Sequence, residues 1–277
     1  VFVGSVFSPW YFARRGAGAR AEDHAAVNVI LYRAGADRWA FTERPASALT
    51  RAADHVTIGP SSLSWSGDAL TLRFEERVVP WRGRLRGTLT LRPELVDGTP
   101  LPLDPAGQHR WCPIAPRARV EVVLDEPALR FTGDGYLDAN HGDGPLDEAF
   151  RRWWWARAVG ADDAVLLYEA EARDGSSTRL ARRYVGGAVE VIDAGALAAL
   201  PTTGYRIPRQ IRSDAGTRPA LVRTFEDTPF YARSQVGLTV GGRPYDAVHE
   251  ALDLDRFRAA WVRFLLPFRI RREAQRP

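Results

Sequence analysis

The chain has 277 residues, 45% hydrophobic and 26% charged, with a net charge of +4. That is an ordinary globular composition, which excludes wholesale disorder and leaves room for one large or two medium domains. Every basic side chain is arginine, which excludes a Schiff-base lysine mechanism, and the single Cys112 excludes an intramolecular disulfide framework and a cysteine-based zinc site.

A lone cysteine fits a reducing compartment, and a cytoplasmic location is expected. No run approaches the roughly 18 apolar residues of a membrane span. The sequence opens at Val1 and contains no Met, so the native start is expected upstream.

Short strands dominate the pattern along the chain. Residues 28–33, 69–74, 84–92, 119–124 and 164–172 carry β-branched or aromatic residues at strand spacing. The 84–92 stretch alternates most cleanly, with Leu85, Leu89 and Leu91 on one face and Arg84, Arg86, Thr88 and Thr90 on the other. Turn chemistry recurs at Ser66-Gly67-Asp68, Asp97-Gly98, Gly133-Asp134-Gly135, Asp174-Gly175, Gly186-Gly187 and Gly241-Gly242. Such punctuation predicts a mainly β protein of antiparallel barrels or sandwiches. A short helix is expected over residues 194–200, ended by Pro201. The chain closes on an amphipathic helix whose stripe is Phe257, Ala260, Trp261, Phe264 and Leu265, capped by Asp253 or Asp255 and stopped by Pro267. The domain boundary is expected in the turn-rich stretch 133–145. An N-terminal β domain would cover residues 1–135 and a C-terminal one residues 136–277, with a site at the junction.

Chemistry concentrates in two pairs, each spaced i, i+2. His109 and Trp111 lie in HRWCPIAP, and Tyr136 and Asp138 lie in GYLDANHGD. Residues two apart on a strand share a face, so each pair can present its side chains together. In an apolar cleft Asp138 would be desolvated, kept protonated, and able to act as an acid. A polar loop capped by Asp and Asn is the plainer reading of the same run. A metal site fits less well, because the acids lack EF-hand spacing and one histidine is too few nitrogens for zinc. His109 alone, like His24, His55 and His249, would be structural. The triplet Trp153-Trp154-Trp155 would send Trp153 and Trp155 to one side of a strand and Trp154 to the other. Trp10, Tyr11, Trp153, Trp155 and Tyr231 are the candidates for binding an apolar substrate, with Trp65 and Trp81 adding to the aromatic content. No dinucleotide fingerprint, P-loop or Gly-x-Ser-x-Gly elbow is present, so nothing requires a nucleotide, a metal or a covalent nucleophile.

Charge is uneven: seven arginines and one glutamate lie from Arg256 to the end. This basic, aromatic end could rest on an anionic membrane surface or form a solvated helix face with a frayed tail. Nucleic acid is not expected, since no binding motif accompanies the charge.

At these motifs the chain resembles the carotenoid 1,2-hydratase (hydroxyneurosporene synthase) family. The resemblance runs almost end to end. It passes through VGSVFSPWY (3–11), AVNVILY (26–32), RWAFTER (38–44), IGPSSLSW (58–65) and HRWCPIAPRARVEV (109–122). It continues through GYLDANHGDGPLDEAF (135–150), EDTPFYARS (226–234), VHEALDLDRF (248–257) and LPFR (266–269). The family's chains normally carry residues before the first of these segments. The resemblance implies a pair of lipocalin-like β domains and a cofactor-independent bacterial hydro-lyase. Such an enzyme adds water to the terminal C1–C2 double bond of acyclic carotenes such as neurosporene and lycopene. The family's proposed catalytic positions fall on His109, Trp111, Tyr136 and Asp138. Protonated Asp138 would then deliver H⁺ to C2, the rings of Trp111 and Tyr136 would face the tertiary cation at C1, and His109 would hold the water. Rival expectations are a non-catalytic lipocalin-like carrier, a polyene cyclase on the same scaffold and, more remotely, a glycosidase.

Overall fold

The computed structural model describes residues 1–33, 37–80 and 82–273; Trp81 and the tail beyond Glu273 lie outside the described residues. The protein is mainly β. Among the described residues its sheets hold eight, seven, four and two strands, and none of these closes on itself. The expected antiparallel architecture holds, with the sheets open rather than closed into a barrel. One pairing departs from it, where Arg271–Arg272 lies parallel to the strand Arg38–Arg44.

The chain divides into two compact units. The first comprises Val1–Glu94, Ala118–Gly135 and Arg263–Pro277; the second comprises Leu95–Arg117 and Tyr136–Val262. In the first unit the alternation of the 84–92 stretch does what its pattern predicts. Leu85 and Leu91 are buried, and Leu85 joins Ala40, Phe74, Val122 and Leu124 in a common core. This unit also buries charge. Arg44 donates from Nη1 and Nη2 to the two carboxylate oxygens of Glu76, both at 2.9 Å, and Ser61 Oγ donates to the same group at 2.6 Å.

The second unit is built on a seven-stranded antiparallel sheet. Its central strands are Asp163–Ala172, Phe150–Val159, Arg243–Asp253 and Tyr231–Val240, in that spatial order. Alternation divides its two faces. Ala156, Val165, Leu167, Val236 and Ala247 face a core completed by Leu200 and Ile211 from the hairpin Ala196–Leu200/Arg209–Ser213. Trp154 points to this same side, against Ile207, Ala232 and Ala251. The opposite face carries one cross-strand row, in which Tyr168 is opposite Trp155, Trp155 opposite Glu250, and Glu250 opposite Arg233.

Three local expectations are corrected. The stretch 194–200 is no helix: Ala196–Leu200 is a strand paired with Arg209–Ser213, because pairing overrides the helix propensity of alanine and leucine. Gly133-Asp134-Gly135 is no turn, since it lies inside the strand Leu129–Gly142. Gly135 is required by close approach, for a Cβ there would come within 2.4 Å of Val120 Cγ1. The closing helix is broken into Leu254–Phe257, capped by Asp253, and Ala260–Leu265. The interruption at Arg258 and Ala259 shifts the helical phase. Phe257, Val262, Leu266 and Ile270 are buried, whereas Trp261, Phe264 and Leu265 of the expected core stripe are exposed.

Candidate active site

Asp138 sits in the strand Leu129–Gly142, beside the strand His109–Glu126. Alternation turns His109, Trp111 and Pro113 of the second strand inward and leaves Arg110 and Cys112 less buried. Trp111 is fully buried, and its indole Nε1–H donates to Asp138 Oδ2 at 2.8 Å. The Tyr136 hydroxyl donates to the same oxygen at 3.1 Å. The i, i+2 spacing on both strands thus brings Trp111, Tyr136 and Asp138 together.

Both donors are neutral. Burial lifts the Asp138 carboxyl from its ordinary 3.8 to about 6, with the Glu250 carboxylate pushing the same way, while the Trp111 and Tyr136 hydrogen bonds and the Arg233 charge hold it back. Burial and the neighbouring Asp138 also push the Tyr136 phenol well above its ordinary value. It therefore stays neutral and keeps its proton for the hydrogen bond. The result is a carboxylic acid that exchanges its proton near neutral pH, a property of groups used for acid catalysis.

Aromatic rings surround this group. The Tyr136 ring lies 5.1 Å from that of Trp155, Trp111 lies 5.2 Å from Tyr168, and Trp153 lies 6.4 Å from Tyr168. Arg157 approaches the Tyr136 ring at 5.6 Å while its Nε donates to the Pro116 carbonyl at 3.0 Å. Beyond Trp155 the cross-strand row continues into an ion pair, with Arg233 Nη2 at 2.5 Å from Glu250 Oε1. Arg233 Nε also donates to the Tyr231 hydroxyl at 2.9 Å. Trp153, Trp155 and Tyr231 thus belong to the same sheet face as the wall around the acid.

His109 is held differently. Its Nδ1 is 3.1 Å from Asp104 Oδ2, and its Nε2 is 3.1 Å from the Gly144 carbonyl oxygen. Burial would raise the Asp104 carboxyl, but donors from Gln108 and His109 outweigh it and hold that group below the usual range. Both imidazole nitrogens are engaged by acceptors. The ring also packs edge-on against Phe150 at 5.1 Å. Gly142 is indispensable to this packing, because a Cβ there would lie 2.4 Å from His109 Cδ2.

The remaining substrate candidates, Trp10 and Tyr11, belong to the first unit. Tyr11 lies 5.2 Å from the His24 ring, and the Arg272 guanidinium lies 5.6 Å from the Trp10 ring. Sequence reasoning missed Asp104, Tyr168, Arg233 and Glu250, which act here through cross-strand and loop partners.

Comparison with known proteins places this geometry in a family. Residues 1–277 match the family described as carotenoid hydratase CrtC. The acyclic carotenoid 1,2-hydratase of Thiocapsa roseopersicina is 45% identical over 98% of this chain and 67% of its own length. That of Rubrivivax gelatinosus is 43% identical over 99% of this chain and 68% of its own length. The protein of the same name from Cereibacter sphaeroides is 37% identical over 98% of this chain and 96% of its own length. The fold is similar to the crystal structure of an AttH-type protein from Nitrosomonas europaea, at a TM-score of 0.55 and 15% identity over 79% of this chain and 77% of the other. A family match over residues 1–277 and relatives at 37–45% identity over nearly the whole chain identify it as a member of the carotenoid hydratase family.

Proposed function

We propose that this chain adds water to the terminal C1–C2 double bond of an acyclic carotene such as neurosporene or lycopene, without a cofactor, and that Asp138 is the proton donor. The observation that carries this reading is a partly buried carboxyl raised to about 6 and held only by neutral donors. Relatives named acyclic carotenoid 1,2-hydratase support the substrate class.

Trp111 and Tyr136 both donate to Oδ2, which assigns the transferable proton to Oδ1. That proton moves to C2 and the π electrons form the new C–H bond, leaving a tertiary cation at C1. The Asp138 carboxylate keeps both hydrogen bonds, which strengthen as charge develops on the acceptor. Aromatic faces at Tyr136, Trp155 and Tyr168 add cation–π stabilisation of about 0.5–2 kcal/mol each. A catalysed barrier reduction of roughly 8 kcal/mol or more needs the preorganised carboxylate as well. Water then forms the C1–O bond and returns a proton to Asp138, so the acid is restored and the net change is addition of H₂O.

This scheme gives His109 a different part from the one its sequence context suggests. With its nitrogens on Asp104 and Gly144, His109 is a positioning residue that braces the strand carrying Trp111, and Asp138 serves as both acid and base.

Anaerobic incubation of the desalted, chelator-treated protein with lycopene or neurosporene, followed by mass analysis, tests the proposal. The expected product is heavier by one water. A product of unchanged mass but altered structure would mean a cyclase or isomerase, and recovery of intact substrate would mean a carrier; either result overturns it.

A further inference from the structure

The chemistry at Asp138 leaves unused the apolar surface of the closing segment. Phe264 is 69% exposed and Phe268 61%, with Leu265 exposed beside them. The two phenyl rings meet edge-to-face at 5.7 Å, so they form one patch rather than scattered side chains. Leu266 and Ile270 point the other way and are buried, which anchors the segment while its aromatic side faces outward. Isolated exposed apolar residues are ordinary, but contiguous ones mark a surface that meets another phase or partner.

Charge around the patch points to the partner. No acidic residue occurs from Arg256 to Arg272, or in the first twenty residues, which contribute Arg14, Arg15 and Arg20. Arg263 lies over the Phe12 ring at 4.6 Å and Arg15 lies over the same ring at 4.2 Å, so the two basic segments meet at Phe12. Arg269 lies over Trp39 at 5.3 Å. The next acid, Glu273, is already paired with Arg44 at 2.9 Å. Arg258 and Arg272 of this segment pair with Asp147 and Glu43, whereas Arg263, Arg269 and Arg271 have no acidic partner among the described residues. Apolar side chains bordered by these three match the layering of an anionic bilayer, where rings enter the acyl boundary and cations stay at the headgroups.

We infer that Phe264, Leu265 and Phe268, bordered by Arg263, Arg269 and Arg271, dock the protein on the surface of an anionic lipid bilayer. Its benefit to catalysis rests on the proposed function, since a hydrocarbon polyene resides in membranes and must be met there. The docking itself does not depend on that reading.

Co-sedimentation with vesicles free of carotene tests the docking. Wild-type protein should bind phosphatidylcholine vesicles containing phosphatidylglycerol at low salt. Binding should be about tenfold weaker on phosphatidylcholine alone or at high salt. The double variant Phe264→Ser/Phe268→Ser should lose binding by about tenfold or more while keeping its thermal midpoint. It should also hydrate detergent-dispersed carotene at the wild-type rate and vesicle-borne carotene more slowly. Failure of the wild type to bind anionic vesicles, equal binding by the double variant, or a concentration-dependent dimer that the variant abolishes without any vesicle binding would each overturn the inference. Vesicle binding by a protein that hydrates nothing would uphold the docking and reject the catalytic reading alone.

Discussion

One carboxyl in each unit, the buried Glu76 and the half-buried Asp138, shows two opposite ways of holding an acid. Glu76 in the first unit receives both terminal nitrogens of Arg44 and the hydroxyl of Ser61. Asp138 in the second receives an indole and a phenol, with the Arg233 charge already committed to Glu250. A guanidinium in bidentate contact locks a carboxylate into one geometry and makes it structural. Neutral donors hold the geometry without supplying charge, so burial lifts the pKa and the proton becomes transferable. The partner, more than burial itself, separates a strut from an acid.

Exchanging what each carboxyl can do should break this contrast. Asp138→Asn keeps an oxygen for Trp111 and Tyr136 but has no proton to give, and hydration should fall by about 10²–10⁴-fold. The same change should stabilise the fold at alkaline pH. The folded state holds the Asp138 proton up to about pH 6, whereas the unfolded chain releases it near pH 4. Stability associated with this group is therefore present below pH 4 and lost as pH rises through 6. Asn escapes that loss, so urea unfolding at pH 8 should show a gain of about 1–3 kcal/mol, the lower figure reflecting partial solvent access.

Glu76→Gln should do the reverse. Removing the charge opposite buried Arg44 should cost about 3–5 kcal/mol, read as a lower denaturant midpoint, and leave the pH dependence of hydration unchanged.

The smallest effect sharpens the comparison. If Asp138 is the proton donor it acts in its protonated form, so kcat/KM should be highest below about pH 6 and decline above it. The Glu250 carboxylate raises the Asp138 pKa and Arg233 lowers it, with the neutral groups Trp111, Tyr136 and Tyr168 completing the surroundings. Glu250→Gln removes the raising charge and leaves the lowering one in place. The alkaline edge should move to lower pH, costing a few-fold in rate at pH 7 and little at pH 5.

Much of the second unit was legible in the sequence because strand alternation is a local signal. It separates Trp154 from Trp153 and Trp155, and it puts Tyr136 and Asp138 on one side. Some partners were readable as well. The Gly241-Gly242 turn pairs Val240 with Arg243, and counting back along the hairpin brings Arg233 opposite Glu250. The neighbour on the other side was hidden, since nothing local puts Trp155 opposite Glu250, nearly a hundred residues away. Local signals also misled. Two glycines read as a turn where one of them makes room for Val120, and an Ala-Leu run read as a helix where strand pairing prevailed. The aromatic stripe of the closing helix had the right period, yet a break at Arg258 and Ala259 turned it toward solvent.

The lopsided bonding of Asp138 also has a stereochemical meaning. With Trp111 and Tyr136 both on Oδ2, the other oxygen is the one the proposed mechanism uses to release the proton, and the alkene would present one face to it. The carbon that receives this proton becomes a methylene, so with ordinary hydrogen the choice of face leaves no trace in the product. The site is nonetheless handed. On the proposed mechanism, returning the water's proton to the same carboxylate would place the hydroxyl on the face that took the hydrogen, so a hydrogen-bonding pattern set by two neutral side chains would fix the geometry of the addition.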